Sequence, residues 1–358
     1  MSSLGRLGWN AFFEDQVRGG DERLALPLHW SRVVEEQREA YRVAGEYEGW
    51  VEISGRIRHR AQSPADFPAV GDWVGVRDAI VHRRLDRRSA IARAAAGPAT
   101  EQQVMAANVD TIFLVTAATR DLNPRRLERY LTMVWDAGAV PVVVLNKADL
   151  IDDPQEACEG LRARLPCVDV VAVSALGHAA RATIEDALSP YLRPAQTIAL
   201  LGSSGVGKST IVNRLVGQDA LEVGAIRERD GRGRHTTTAR RLVELPSGAL
   251  LIDTPGMREL VPWTQPGSVD GAFDDIAALA RDCRFRDCAH EAEPGCAVLA
   301  AADSGSLDRD RLEHYRRLLR EAAFEERKRD KAAAANAKRR WKQTQQSLKA
   351  LYRDRERP

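Results

Sequence analysis

One eight-residue stretch restricts the fold of this chain more than any other. Gly202-Ser203-Ser204-Gly205-Val206-Gly207-Lys208-Ser209 fills every fixed position of the Gly-x4-Gly-Lys-Ser/Thr pattern. It follows an apolar run, Thr197 to Leu201, and opens a stretch of helical character, Lys208 to Val216. A loop in that setting turns its backbone N–H groups around phosphate oxygens, with the positive end of a helix behind them. Lys208 is placed to reach the β- and γ-phosphates and Ser209 to ligate Mg²⁺. Other buried-type strands occur at Thr111 to Ala117, Val140 to Leu145, Val168 to Val173 and Leu250 to Ile252. Helical stretches, Pro124 to Trp135, Pro154 to Leu165 and Arg181 to Leu188, lie between most of them. This alternation predicts a parallel α/β sheet.

Asn146-Lys147-Ala148-Asp149 stands at the carboxyl end of the Val140 to Leu145 strand, where open α/β sheets bind ligands. Guanine presents N1–H and an exocyclic amine side by side. The Asp149 carboxylate accepts both, and adenine has no such donor pair. Asn146 is placed to bond N7 and pin the loop, and the Lys147 stem to cover the base. Ser174-Ala175 follows the next strand, with backbone amides for the guanine O6. Asp253-Thr254-Pro255-Gly256 follows the last strand. Its Asp253 suits the Mg²⁺ shell, and the Gly256 N–H suits the γ-phosphate.

These elements come in an unusual order. The base-reading tetrapeptide precedes the phosphate loop by 56 residues, whereas in ordinary small GTPases it follows. The order predicts a circularly permuted P-loop GTPase domain, tolerable because domain termini usually lie at the surface and often close together. Further on, Cys283-x4-Cys288-x-His290-x5-Cys296 supplies three thiolates and an imidazole, a full tetrahedral set for structural Zn²⁺. The short strands Tyr41 to Val43, Gly49 to Ile57, Asp72 to Arg77 and Ile80 to Arg83 read as a small β-barrel. Leu312, Tyr315, Leu318, Leu319 and Ala322 share one helical face, read as core-facing.

A chain of 358 residues, 44% hydrophobic and 29% charged, excludes wholesale disorder and a fibrous protein. Apolar runs fall far short of the ~20 residues that span a bilayer. The start, Met1-Ser2-Ser3-Leu4-Gly5-Arg6, lacks a signal-peptide stretch, so the expectation is a cytoplasmic protein. The net charge of +2 conceals a basic tail: from Arg327 to Pro358, twelve Lys or Arg face Asp330, Asp354 and Glu356, a net +9. That tail points to a polyanionic partner, RNA or a membrane surface. Trp341 among Lys338, Arg339, Arg340 and Lys342 lies in a stretch with little apolar face, which suits RNA better.

The permuted order, the barrel and the Cys3His spacing together resemble ribosome small subunit-dependent GTPase A, the RsgA or YjeQ family. Leu7-Gly8-Trp9-Asn10, Gly71-Asp72-Trp73-Val74, Ala107-Asn108-Val109-Asp110, Gly233-Arg234-His235-Thr236-Thr237-Thr238 and Glu293-Pro294-Gly295-Cys296-Ala297-Val298 are similar to pieces of that family. The resemblance implies a multi-domain α/β protein: an N-terminal extension (1–37), an OB-type β-barrel (38–98), a circularly permuted GTPase domain (99–265), and a zinc-binding helical domain with a basic tail (266–358). It implies GTP–Mg²⁺ hydrolysis stimulated by the small ribosomal subunit during late maturation, with that subunit and its rRNA as partners, no membrane, and a monomer. An RNA-binding assembly protein for which hydrolysis is incidental is the alternative.

Carried over by residue, the resemblance puts GTP contacts on Asn146, Lys147, Asp149, Gly202 to Thr210 (Ser203, Ser204, Gly205, Val206, Gly207, Lys208 and Ser209 between them) and Asp253 to Gly256. Its zinc ligands fall on Cys283, Cys288, His290 and Cys296. Its first switch falls on Arg234 to Thr238, with Thr237 as a second Mg²⁺ ligand beside Ser209, and Thr236 and Thr238 as alternatives. Where GTPases often carry a water-orienting Gln, this chain has Met257, whose thioether is a weak acceptor. Hydrolysis is then slow, or another group acts. The resemblance implies a catalytic histidine at His235, completing a set with Lys208 and Thr237.

Overall fold

The computed structural model describes residues 2–18, 27–37, 40–94, 102–119, 122–165, 167–176, 180–217, 240–253, 266–324 and 326–327. Five short strands close into a barrel: β1 (His29–Gln37), β2 (Ala40–Gly45), β3 (Gly49–Ile53), β4 (Trp73–Arg77) and β5 (Ile80–Arg84). They pair in the order β1-β2-β3-β5-β4, and β1 pairs again with β4. Only β3–β5 is parallel. This is the OB-type barrel. Val33, Val43, Val51, Val74, Val76 and Val81 are buried in its core, the inward set that a period of two demands. Beyond Ile53 the run read as a continuous strand to Ile57 turns into the short helix Gly55–Arg60, capped by the Ser54 hydroxyl accepting from the Ile57 N–H.

One barrel strand lies inside the segment read from sequence as an extension ending at residue 37. β1 escapes a pattern search because Ser31, Arg32 and Glu35 are as buried as Val33. The buried polar residues have structural work. Arg32 donates to Gly71 O (3.0 Å), Leu7 O (2.6 Å), Asn108 O (3.1 Å) and Thr197 Oγ1 (2.9 Å). Three of these acceptors belong to the family-like pieces near residues 7, 71 and 108. One guanidinium therefore ties the N-terminal segment, the barrel and the α/β sheet. Burial pulls its pKa down, to about 9, still well above neutral pH, so the group stays charged. The helices Ser3–Arg6 and Ala11–Arg18 complete this corner, where Trp9 meets Trp73 edge-on at 4.8 Å.

After the barrel, β6 (Ala90–Ala94) and β7 (Gln102–Ala107) form an antiparallel pair that the sequence reading missed. The α/β sheet follows: β8 (Thr111–Ala117), β9 (Val140–Asn146), β10 (Asp169–Ala172), β11 (Thr197–Leu201), β12 (Arg240–Glu244) and β13 (Leu250–Asp253), in the order β10-β9-β8-β11-β13-β12. All neighbours are parallel except β12–β13. β12 pairs on its other side with β1, Glu35 opposite Arg241 and Glu36 opposite Arg240, so sheet and barrel are continuous. The helices Pro124–Asp136, Pro154–Arg164, Ala180–Leu188 and Lys208–Val216 match the helical stretches expected. The C-terminal part is helical at Pro266–Ala272, Asp274–Ala280, Ala297–Asp303 and 309–324. Leu312, Tyr315, Leu318 and Ala322 are buried, with Leu319 packed against them, as the stripe predicted. Among the described residues no helix is long and apolar enough to cross a membrane.

Candidate nucleotide site and metal centre

The parallel order brings the carboxyl ends of β9, β8, β11 and β13 to one edge of the sheet, and the sequence motifs follow those ends. β11 runs directly into the phosphate loop, with positive φ at Gly202 (+148°), Gly205 (+81°) and Gly207 (+99°). A Cβ on Gly202 would lie 2.2 Å from Val115 O, and one on Gly207 2.1 Å from Asn146 Nδ2. Both positions therefore exclude side chains by geometry and by conformation. Nothing lies within 4 Å of a Cβ on Gly205, so the loop is open there. Lys208 Nζ folds over the loop onto Gly202 O (2.6 Å) and Ser203 O (2.5 Å). Ser209 and Thr210 sit in the first turn of the helix that follows.

The base-reading tetrapeptide meets this loop directly. Asn146, almost wholly buried, donates to Val206 O at 2.8 Å and accepts from the Ala175 N–H at 3.1 Å. One side chain thus joins three motifs far apart in sequence. Lys147, at φ +60°, donates to Gly205 O at 2.9 Å. The Asp149 N–H donates to Ser174 Oγ at 3.1 Å, and Asp149 is exposed. Asp253 ends β13 on the same edge. Donors, an amide and glycines at positive φ make a cradle that fits a guanine nucleotide and the Mg²⁺ that accompanies its phosphates. His235, Thr236, Thr237, Thr238, Gly256 and Met257 lie outside the described residues.

Sequence reading placed the helix Pro124–Asp136 but missed its contact with this loop. Asn123 caps Pro124–Asp136, and Arg126 in its first turn donates Nη1 to Ser203 Oγ at 2.7 Å. The signal lay in sheet order: β8 neighbours β11, so the helix after β8 begins next to the loop after β11. Two residues on, Glu128 is fully buried. It accepts from Arg311 (2.8 Å) and Arg164 (3.1 Å) and meets His314 Nδ1 at 2.5 Å. Burial alone would raise the Glu128 pKa. The His314 hydrogen bond and the charges of Arg164 and Arg311 outweigh it and hold the carboxyl below its ordinary range. Arg125–Asp310 (2.9 Å) and Arg129–Glu321 (2.6 Å) repeat the connection on either side.

Cys283, Cys288, His290 and Cys296 converge, their ligand atoms all within 4.8 Å of one another. Cys283 Sγ lies 3.8 Å from Cys296 Sγ and 3.6 Å from His290 Nδ1, which is 3.4 Å from Cys296 Sγ. With metal–sulfur bonds of about 2.3 Å, the edge of a tetrahedron is about 3.8 Å. The donor set and spacing fit a metal ion with four protein ligands. The loop between His290 and Cys296 is organised by Glu293, which accepts from the N–H groups of Ala289 (2.8 Å), Glu291 (2.8 Å) and Ala292 (3.0 Å). Those bonds draw its pKa from 4.5 to about 2.

Residues 84–263 match the model of the RsgA GTPase family. The chain is 43% identical over 367 residues to the small ribosomal subunit biogenesis GTPase RsgA of Opitutus terrae, covering 98% of each chain. It is 47% identical over 304 residues to the protein of that name from Xanthomonas axonopodis, covering 84% of this chain and 81% of the other. Among solved structures, YjeQ from Thermotoga maritima aligns with a TM-score of 0.60 at 23% identity, over 82% of this chain and 98% of its own. YloQ, a circularly permuted GTPase, aligns at 0.59 and 23% identity, over 86% and 99%. Barrel, permuted nucleotide site and Cys3His cluster therefore stand together in a chain that belongs to the RsgA GTPase family.

Proposed function

We propose that this chain acts in maturation of the small ribosomal subunit, with GTP held by Asn146, Lys147, Asp149, Ser174, Ala175 and the Gly202 to Thr210 loop, and turned over when the subunit docks. The observation that carries the reading is the Asn146 amide, bonded at once to the phosphate loop and to Ala175. It makes recognition of the base and of the phosphates a single structural event. The names of the relatives supply the partner class. Lys208 is the cation for the β- and γ-phosphates; Ser209 and Asp253, with Thr237, are the groups for Mg²⁺, which neutralises developing phosphate charge when bound. Zn²⁺ on Cys283, Cys288, His290 and Cys296 has a structural role, since four protein ligands leave no open position.

Met257 gives the attacking water no strong acceptor, so His235 is proposed to orient it when the subunit is bound. The test is His235→Ala. The variant is expected to keep GTP binding and small-subunit binding but to lose most of the subunit-stimulated turnover. Stimulation equal to that of the unaltered chain would remove His235 from the mechanism.

A further inference from the structure

A groove of about 420 Å³ lies between the start of Pro124–Asp136 and the 309–324 helix. Arg125 lines it from one side, and His314, Arg316, Arg317 and Arg320 from the other. Two of these cations are matched: Arg125 meets Asp310 at 2.9 Å, and Arg317 lies 3.8 Å from Glu321. Arg316 and Arg320 have no ion pair among the described residues. Nε and Nη2 of Arg316 are buried without a hydrogen-bond partner among those residues, and so is Nε2 of His314, a side chain 1% exposed. Buried polar groups seldom stay unpaired.

The two Arg316 atoms form one edge of a guanidinium, with parallel N–H bonds that match two oxygens of a carboxylate or phosphate. In two other arginines of this chain the same edge is satisfied internally. Nε and Nη2 of Arg87 take both oxygens of Asp72, and those of Arg311 both oxygens of Asp275. His314 adds the third unpaired atom. Its Nδ1 donates to Glu128, whose ionised carboxylate only accepts, so Nε2 accepts in the neutral ring and donates only in the imidazolium. Glu291 and Glu313 also line the groove, so cations outnumber carboxylates four to two there.

We propose that the groove is a binding site for a phosphate group, held by the Nε–Nη2 edge of Arg316 with Arg320, and that the phosphate belongs to a polynucleotide backbone. The helix carrying Arg316 and Arg320 leads into Arg327 to Pro358, the net +9 run. The groove thus stands at the root of the segment best suited to follow a chain of phosphates. The polynucleotide source rests on the proposed role at the small ribosomal subunit; the phosphate chemistry of the groove does not.

The test uses the full chain, the variants Arg316→Gln and Arg320→Gln, and Arg309→Gln as a control in an exposed ion pair with Asp303. The probe is a labelled single-stranded RNA of about 12 nucleotides, titrated over a range of salt, with inorganic phosphate as a second ligand. GTP binding and thermal unfolding confirm that each variant is folded. Arg316→Gln is expected to weaken RNA binding about fivefold or more and to reduce the slope of log affinity against log salt by about 0.7, one phosphate contact on a single strand. Arg320→Gln should move both in the same direction, and Arg309→Gln neither. An unchanged slope in both groove variants, or an equal loss in Arg309→Gln, overturns the site. Groove-dependent binding of inorganic phosphate as tight as that of RNA overturns the polynucleotide source. If small subunits fail to stimulate the unaltered chain while the slope loss persists, the proposed function fails and the phosphate site stands.

Discussion

At the residue scale, the proposed selectivity rests on a carboxylate and cohesion on a guanidinium. Asp149 is exposed beside the Ser174 hydroxyl, free to present two acceptor oxygens to the edge of a base. Asp149→Asn exchanges one acceptor for a donor. Its amide complements the C2 carbonyl of xanthine better than the amine of guanine, so preference should move from guanosine to xanthosine nucleotides, measured by competition binding. Unaltered GTP affinity would mean that another residue reads the base. Arg32→Met has a different signature. It leaves Asn108 O and Leu7 O without their donor, while Gly71 O keeps its bond from Asn108 Nδ2. Each buried acceptor stripped of its partner costs about 1–3 kcal/mol. The expected loss is about 3 kcal/mol or more, a fall in Tm of roughly 6 °C, read by calorimetry. A Tm within about 1 °C of the parent, below the shift from 1 kcal/mol, would show that these segments are held by other contacts.

Among elements, the helix Pro124–Asp136 connects the two functional regions. Its Arg126 touches the phosphate loop, while Arg125, Glu128 and Arg129 reach the 309–324 helix. Glu128→Gln would leave Arg311 and Arg164 facing a neutral amide in a buried place. Breaking one partner of such a cluster costs about 3–5 kcal/mol, and hydrogen exchange across 309–324 should speed up in the variant. Exchange as slow as in the parent would contradict this. The folded Glu128 pKa lies below its ordinary value. Its contribution is therefore full above the unfolded value of about 4.5 and is lost as pH falls through the lower folded one. This helix was legible in sequence as a helical stretch between two apolar strands, but its partners were not, because ion pairs across 183 and 192 residues leave no local pattern. β8, β9 and β11 were legible as unbroken apolar runs. β12 was not: it alternates exposed and buried arginines, Arg240 buried and Arg241 exposed, at the seam between sheet and barrel. The phosphate loop, the Asn146 to Asp149 tetrapeptide and the Cys3His cluster were legible because chemistry sets their spacing. Arg126, Arg32 and Arg316 were not, because single arginines carry no spacing signal.

Over the whole molecule, the permuted order places the nucleotide site between a barrel continuous with one edge of the sheet, through β12 and β1, and a helical region with its Cys3His cluster. Metal binding and folding should be coupled in that region, since a short segment with three thiolates and an imidazole gains most of its order from the ion. A strong chelator is expected to release about one zinc per chain, from the four-ligand set, and to speed hydrogen exchange over 283–324 while the α/β sheet stays protected. A metal-free chain with unchanged exchange would contradict the structural role. The central claim is that this site hydrolyses GTP in response to the small ribosomal subunit. The direct measurement is multiple-turnover GTP hydrolysis by the full chain, titrated with purified small subunits and, separately, with large subunits. The account predicts slow hydrolysis alone and a rise of about tenfold or more with small subunits, as when a missing transition-state group is supplied, with little change on adding large ones. A rate indifferent to small subunits, or raised equally by large ones, would contradict it.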